Sequence, residues 1–151
     1  MRISPDKKNI VTGSADRSIR VWDIARKTYR QSVTLRHSST TNCLEVSSDC
    51  NTAVSGHMDG SLRFWDLRSG DRTADIPGLH SGGVTSVQLD PTKSTYILTN
   101  GRDSNLKITD VRMCSAVNTL QHREFKTLYG WSGCTYSPDG KNLARTYAQI
   151  H

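Results

Sequence analysis

A twelve-residue pattern occurs three times in this 151-residue chain, and its copies at residues 12–23, 55–66 and 99–110 align without a gap. Asp59 follows Asp16 by 43 residues, and Asp103 follows Asp59 by 44. A period of about 40–45 residues indicates one supersecondary unit per copy, which buries its core by stacking against its neighbours. The chain is therefore expected to be a repeat protein.

Each copy also carries the pattern of a half-buried β-strand. Leu62 and Phe64, for example, alternate with polar residues at period two. The Asp59-Gly60 pair before them predicts a hairpin turn, because glycine accepts a positive φ. Helical periodicity is essentially absent, so the predicted fold class is all-β.

Two of the copies end in Trp-Asp, at residues 22–23 and 65–66, and this ending together with the period resembles the WD-repeat family. The resemblance implies a β-propeller with four antiparallel strands in each blade. At this period the chain forms a partial propeller of about 3.5 blades out of an expected seven. We expect blades at about residues 1–35, 36–78, 79–120 and 121–144 (the last one partial), followed by a divergent tail at 145–151.

An incomplete ring is expected to expose two blade flanks and unpaired strand edges. Such a chain would be a truncated gene model, a splice variant or a fragment, marginally stable and prone to self-association through those edges. The alternative is that two copies pair into a closed ring. Ser4-Pro5-Asp6 and Ser137-Pro138-Asp139-Gly140 are interpreted as tight turns between strands of different blades, and Asp90-Pro91-Thr92 occupies the same place in the third copy.

Histidines recur at the same period, at His37, His80 and His122. His37, Ser55 and Asp59 have the residue types of a catalytic triad, but a catalytic triad has no reason to recur with a structural period. The family resemblance implies a structural tetrad, in which indole N–H donates to hydroxyl, hydroxyl to imidazole and imidazole to carboxylate. Its implied members are His37, Ser55, Asp59 and Trp65 in the second blade, Thr12, Asp16 and Trp22 in the first, and His80, Thr99 and Asp103 in the third.

The third copy carries Thr109 where the other two carry tryptophan. We therefore expect the third blade to have a weaker network and less buried aromatic area.

The formal net charge is +6, but the 20 lysines and arginines are spread along the chain. This distribution favours a solvated basic surface over a nucleic-acid patch. The four cysteines match no zinc spacing, and nothing else suggests a metal, a cofactor, a small-molecule substrate or an enzyme. Without a signal peptide or a long apolar stretch, we expect a cytosolic or nuclear protein that reaches membranes only through partners.

A finer resemblance rests on three features: the Ser-Gly-His copy at 54–66, the Trp-less copy at 99–112, and Trp131 five residues before Tyr136. In this order they resemble the C-terminal propeller of the autophagy-related protein 16 family, plant type. The resemblance implies a cytoplasmic adaptor in autophagosome assembly, peripheral at forming autophagosomal membranes, with the autophagy conjugation machinery as a partner. The family's helix that binds the conjugation partner and its dimerising coiled coil have no counterpart in this chain.

A second interpretation rests on the segment from Ala53 to Arg68, which ends in Trp65-Asp66-Leu67-Arg68. It resembles the WD-x-Arg box by which some propellers dock on the adaptor of a cullin-type ubiquitin ligase, and so implies a substrate receptor. A nucleic-acid-associated WD protein is the third, weaker class. The candidate protein-binding residues are Arg17, His57, Met58 and Arg102 in the Asp-containing loops, and Arg68 in the box.

Overall fold

The computed structural model describes residues 1–25, 30–93, 95–127, 130 and 132–146. These residues form strands, turns and loops, with no helix among them. The first sheet contains β1 (Arg2–Ile3), β2 (Asn9–Gly13), β3 (Ser18–Asp23) and β4 (Arg30–Arg36). The second contains β5 (Thr41–Val46), β6 (Thr52–His57), β7 (Leu62–Asp66) and β8 (Arg72–Ile76).

The third sheet contains β9 (Val84–Leu89), β10 (Tyr96–Gly101), β11 (Leu106–Asp110) and β12 (Ser115–Leu120). A last pair follows, β13 (Cys134–Tyr136) and β14 (Leu143–Arg145). Every sheet is an antiparallel meander in chain order, with each strand paired to the next. The prediction of an all-β partial propeller built from four-stranded antiparallel blades is confirmed.

The serine–aspartate turns join strands within a sheet, so the prediction that they link different blades is wrong. Ser4 to Asn9 connects β1 to β2, and Ser137 to Asn142 connects β13 to β14. The reason is local: the serine hydroxyl donates to the aspartate carboxylate at 2.6 Å in the first turn, and that carboxylate accepts from Lys8 N. These bonds close a tight reversal, which suits neighbouring antiparallel strands.

The same turn occurs in the second sheet without proline, where Ser47 donates to Asp49. Lys7, Cys50 and Gly140 hold the equivalent position with φ of 58°, 61° and 70°. The serine–aspartate hydrogen bond, which all three turns share, therefore defines this turn, and proline is not required.

The boundary expected between strand and tail at residue 145 also differs from the structure. Arg145 pairs with Cys134 in the last sheet, and Thr146 Oγ1 accepts from Gly133 N at 2.7 Å. Residues 147–151 of the expected tail lie outside the described residues, and so does Trp131.

Apolar side chains fill the spaces between successive sheets. Between the first two sheets, Trp65 packs with its cross-strand partner Ala53 and with Val21 of the preceding sheet. At the aligned positions between the second and third sheets stand Thr109, its partner Ile97 and Phe64. Two larger residues thus compensate for the missing indole, and Thr109 is fully buried. The expected loss of aromatic area in the third blade is offset by Phe64 on the facing sheet.

This exchange of volumes predicts the effect of restoring tryptophan. Thr109→Trp alone should overpack the space and cost about 1–3 kcal/mol of unfolding free energy. Adding Phe64→Val and Ile97→Ala should recover most of that loss, because the triple variant reproduces the Val21, Ala53 and Trp65 set of the first interface. Urea unfolding followed by circular dichroism measures both. A single Thr109→Trp variant more stable than the parent chain would contradict the compensation.

Candidate functional site: the upper rim and the networks beneath it

The three turns that carry the recurring aspartates lie at one end of the sheets, which we call the upper rim. It comprises the turns at residues 14–17, 58–61 and 102–105 and the connections between sheets at 37–40, 77–83 and 121–127. Antiparallel strands place successive turns at opposite ends. Arg68, in the turn after β7, therefore lies at the opposite end from Met58, in the turn before it.

The third sheet brings together the three residues that the family resemblance implied for it. His80 Nδ1 lies 2.9 Å from Asp103 Oδ1, and its Nε2 lies 2.9 Å from Thr99 Oγ1. The carboxylate can only accept, so Nδ1 carries the proton and neutral Nε2 accepts from the hydroxyl. Burial lowers the pKa of His80, which favours that neutral form, while Asp103 opposes the shift.

Glycine at position 101 makes room for this network. A Cβ built on Gly101 would lie 2.2 Å from His80 Nδ1 and 2.6 Å from Asp103 Oδ1. The imidazole therefore occupies the space that a side chain would take at this position of β10.

The second sheet uses a different histidine from the expected one, and here the implied tetrad is wrong. Trp65 Nε1 donates to Ser55 Oγ at 2.7 Å, as expected, but the imidazole bonded to Ser55 is that of His57, at 2.7 Å. His37 Nε2 instead lies 2.9 Å from Thr41 Oγ1. His57 aligns with Gly101, so its ring fills the space that stays open for His80 in the third sheet.

The aspartates of the first two sheets are bound by arginine rather than by histidine. Arg63 Nη2 donates to Asp59 Oδ2 at 2.7 Å, and Arg20 Nη2 donates to Asp16 Oδ2 at 2.5 Å. Both arginines stand four residues after their aspartate, a spacing that is readable in the sequence. The equivalent Lys107 of the third sheet donates to the Leu79 carbonyl at 2.6 Å, which leaves Asp103 to His80.

The first sheet retains one part of the expected network. Trp22 Nε1 donates to Thr12 Oγ1 at 3.0 Å. Asp16 Oδ1 accepts from the amide and hydroxyl of Ser18, and the same pair of contacts joins Asp59 to Ser61. The fourth histidine, His122, is exposed, and its Nδ1 accepts from Glu124 N at 3.3 Å.

The candidate binding residues separate into exposed and buried ones. Arg17, Met58 and Arg102 are exposed on the upper rim, and Met58 is 50% exposed. His57 is 0% exposed, so a partner cannot touch its ring in this arrangement, and its assignment as a surface contact is wrong. Arg68 is exposed at the opposite end, where its amide donates to Asp66 Oδ1 at 2.7 Å.

The upper rim exposes two arginines beside its methionine. Of its three recurring aspartates, Asp16 and Asp59 are paired with Arg20 and Arg63, and Asp103 accepts from the neutral His80. Within the described ranges, the guanidinium groups of Arg17 and Arg102 have no hydrogen-bond or ion-pair partner. Two unpaired guanidinium groups around an exposed methionine are suited to an acidic partner segment that also offers an apolar side chain.

Arg112 follows the third copy of the repeat in the same way that Arg68 follows the second. Its side chain is exposed, but its guanidinium is bound to Asp110. Its Nη2 donates to Asp110 Oδ2 at 2.8 Å and its Nε to Oδ1 at 3.2 Å. This ion pair holds the pKa of Asp110 at about 2.

In the part of the chain that the structure describes, no three His, Cys, Asp or Glu side chains come together to hold a metal ion. Nor does the described part contain a helix with the length and hydrophobicity that crossing a bilayer requires.

The repeated four-stranded sheets and the hydrogen bonds from tryptophan to a hydroxyl agree with the family to which the sequence is similar. A family model described as "WD domain, G-beta repeat" matches residues 1–23 and 29–66. The chain belongs to the WD-repeat family and is a protein-interaction scaffold of that type.

Among its relatives, the chain is 35% identical to Protein tipD of Dictyostelium discoideum over 139 residues, which is 92% of this chain and 22% of that protein. It is 36% identical to Autophagy-related protein 16 of Arabidopsis thaliana over 137 residues, which is 91% of this chain and 26% of that protein. The chain thus spans about a quarter of the length of these relatives.

The buried imidazole of His57 predicts a pH dependence of stability. Burial lowers its pKa from 6.5 to about 4, so the folded state holds the ring neutral while the unfolded chain protonates it. Its stabilising contribution is complete above pH 6.5 and is lost as the pH falls towards 4, by up to about 3 kcal/mol at about 1.4 kcal/mol per pH unit. Asp59, with a pKa of about 2, contributes its own loss only below pH 3.8.

Urea unfolding at intervals between pH 7.5 and 4 measures this dependence. The variant His57→Ser introduces the residue type that the first copy carries at the aligned position, Ser14. It should reduce the dependence of the unfolding free energy on pH between 7.5 and 4. His37 and His80 account for the dependence that remains, because burial lowers both of their pKa values. Parallel curves for the parent chain and the variant would show that His57 does not titrate with unfolding.

The space at Gly101 generates a second prediction for this site. Gly101→Ala should cost about 2 kcal/mol or more, because the new methyl group collides with the His80 ring and the Asp103 carboxylate. Gly130→Ala is the matched control, since a Cβ there meets no heavy atom within 4 Å. Thermal melting of the two variants gives the comparison, and equal melting temperatures would contradict the close fit around His80.

Proposed function

We propose that this chain is the partner-binding propeller segment of an adaptor of the autophagy-related protein 16 type, acting in autophagosome assembly. The observation that carries the proposal is the 36% identity to Autophagy-related protein 16 of Arabidopsis thaliana along 91% of this chain. Its partners are proteins, among them the autophagy conjugation machinery. It acts in the cytoplasm and reaches forming autophagosomal membranes through those partners.

The proposed contact surface is the upper rim, with Met58 between Arg17 and Arg102. One exposed apolar side chain beside two unpaired guanidinium groups provides an anchor and a charge preference. The partner segment should carry carboxylates and one apolar residue that packs on Met58, which is 50% exposed.

The proposed role involves no catalysis. Ser55 and His57 form the serine–histidine contact that a hydrolase would need, but both are 0% exposed. Ser55 Oγ also accepts the indole proton of Trp65 at 2.7 Å, so its hydroxyl is committed to the fold. A nucleophile needs access to a substrate, and this pair has none.

Docking on the adaptor of a cullin-type ubiquitin ligase through Arg68 is the alternative function. Two amides, those of Arg68 and Ser69, donate to Asp66 Oδ1 and fix the turn that presents the arginine. Within the described chain the Arg68 guanidinium has no partner, whereas that of Arg112 is bound to Asp110.

A segment exchange tests the proposal in a whole protein. Residues 1–146 of this chain replace the matching segment of the Arabidopsis relative, and the chimera is expressed in a line that lacks that relative. We expect autophagic flux under starvation to be restored. Arg17→Glu, Met58→Asp and Arg102→Glu together should reduce it by about tenfold, as the loss of an interface anchor does.

Arg68→Ala is the matched control, since it removes an exposed cation from the opposite end and should leave flux unchanged. A folded chimera that restores no flux would remove the autophagy proposal. Loss of flux in Arg68→Ala, together with normal flux in the rim variant, would favour the ligase-adaptor alternative.

A further inference from the structure

Unsatisfied buried polar atoms concentrate beneath one loop of the upper rim. Seven buried side-chain nitrogen or oxygen atoms of the described residues have no hydrogen-bond partner. Five of them lie in or against the second sheet: His37 Nδ1, His57 Nδ1, Arg63 Nε, Arg63 Nη1 and Asp75 Oδ1. Buried polar groups are nearly always paired, so such a concentration needs an explanation.

The loop above these atoms contains four consecutive hydroxyl residues, Ser38 to Thr41. Ser39 Oγ accepts from Asp59 N at 3.1 Å, and Thr41 Oγ1 lies 2.9 Å from His37 Nε2. Thr40 is half-buried, and its carbonyl accepts from Met58 N. Ser38 alone is exposed, and its hydroxyl accepts a single long bond, from Arg63 Nη2 at 3.5 Å.

Arg63 is an unusual neighbour for an exposed serine. Its side chain is 6% exposed, and the same Nη2 that reaches Ser38 also donates to Asp59 Oδ2 at 2.7 Å. Asp75 Oδ2 lies 3.7 Å from Nε, too far for a hydrogen bond. Two more cations lie near the loop: Arg36 two residues before Ser38, and Arg17, whose carbonyl accepts from His37 N at 3.1 Å.

We propose that Ser38 is a phosphorylation site and that Arg63 and His37 bind the phosphate. A protein kinase transfers the group from ATP: Ser38 Oγ attacks the γ-phosphorus, the Oγ–P bond forms, and the bond from phosphorus to the bridging oxygen of ADP breaks. The hydroxyl proton passes to the base of the kinase. The added phosphate brings three acceptor oxygens and nearly two negative charges.

Those oxygens suit the unpaired atoms below them. Two nitrogens of Arg63 can bind a phosphate together, which is the geometry in which guanidinium recognises phosphate most strongly. A nearby dianion also raises the pKa of His37, which burial now holds low, so that Nδ1 carries a proton to donate. Asp59 and Asp75 are the carboxylates that face the new charge, because both lie within ion-pair distance of Arg63. The Arg63 guanidinium lies between these carboxylates and Ser38 as the shared donor.

The modification would regulate the rim. Phosphate at Ser38 cancels the positive charge that Arg17 and Arg36 supply, so an acidic partner should bind the phosphorylated rim less tightly. This consequence rests on the proposed partner surface, whereas the site itself does not.

The test uses the whole chain with phosphoserine incorporated at position 38 by an expanded genetic code. Phosphoserine at Ser69 is the matched control, because that serine is exposed at the opposite end of β7. Titration followed by phosphorus NMR should place the second phosphate pKa at position 38 lower by roughly half a pH unit or more. Proton NMR should show the His37 pKa raised in the same chain only.

Arg63→Gln in the phosphorylated chain should abolish the phosphate shift, and where that variant does not fold, the comparison with position 69 still decides. Equal phosphate pKa values at positions 38 and 69 would overturn the binding site. Phosphopeptide mapping of the protein from its own cells, in fed and starved states, should find the phosphate on Ser38. An unmodified loop in both states would overturn the modification. Neither measurement involves a partner, so a failed segment exchange is distinguishable from a failed phosphate site.

Discussion

The burial of each sheet's apolar faces against the sheets before and after it is the constraint on which the rest of the structure depends. A single four-stranded sheet leaves its side chains exposed, and only a neighbour at the next period covers them. Three clusters of buried residues lie between the successive sheets and hold them in sequence. The period of about 43 residues is the chain length that this stacking requires.

Close packing between sheets also explains how one blade dispenses with its tryptophan. The space between two sheets has a set volume, and side chains from both must fill it. Trp65 fills one space with small partners, whereas Phe64 and Ile97 fill the next one around Thr109. The repeat therefore conserves filled volume rather than residue type, and a strict search for Trp-Asp would miss the third copy.

Beneath the upper rim, each sheet uses different side chains to hydrogen-bond the hydroxyl on its second strand. The hydroxyl on the second strand is half-buried in the first sheet and fully buried in the other two, so it needs a hydrogen-bond partner. Trp22 supplies that partner in the first sheet, Trp65 and His57 in the second, and His80 in the third. Because His57 takes that role, His37 and Arg63 retain unpaired atoms close to the exposed Ser38. The rim thus combines a rigid base with one place where a small anionic group would complete the hydrogen bonding.

The sequence by itself determined the all-β class, the period and the hairpin at Asp59-Gly60, because these features follow from local alternation and from spacing along the chain. The four strands of each blade were expected from the resemblance to the WD-repeat family. The aspartate turns also carry a local signal, since a serine two residues before an aspartate recurs at Ser4, Ser47 and Ser137.

Only the tertiary structure decided which histidine reaches Ser55. The imidazole bonded to the Ser55 hydroxyl is that of His57, which lies two residues away on the same strand. His37, in the connection between the sheets, is bonded to Thr41 instead. Sequence spacing places both histidines near this hydroxyl but does not say which ring lies beside it. The outcome depends on the residue at position 57: a histidine there fills the space beside the hydroxyl, whereas the aligned Gly101 leaves that space to His80. For the same reason, His57 changed from a surface candidate to a buried structural residue.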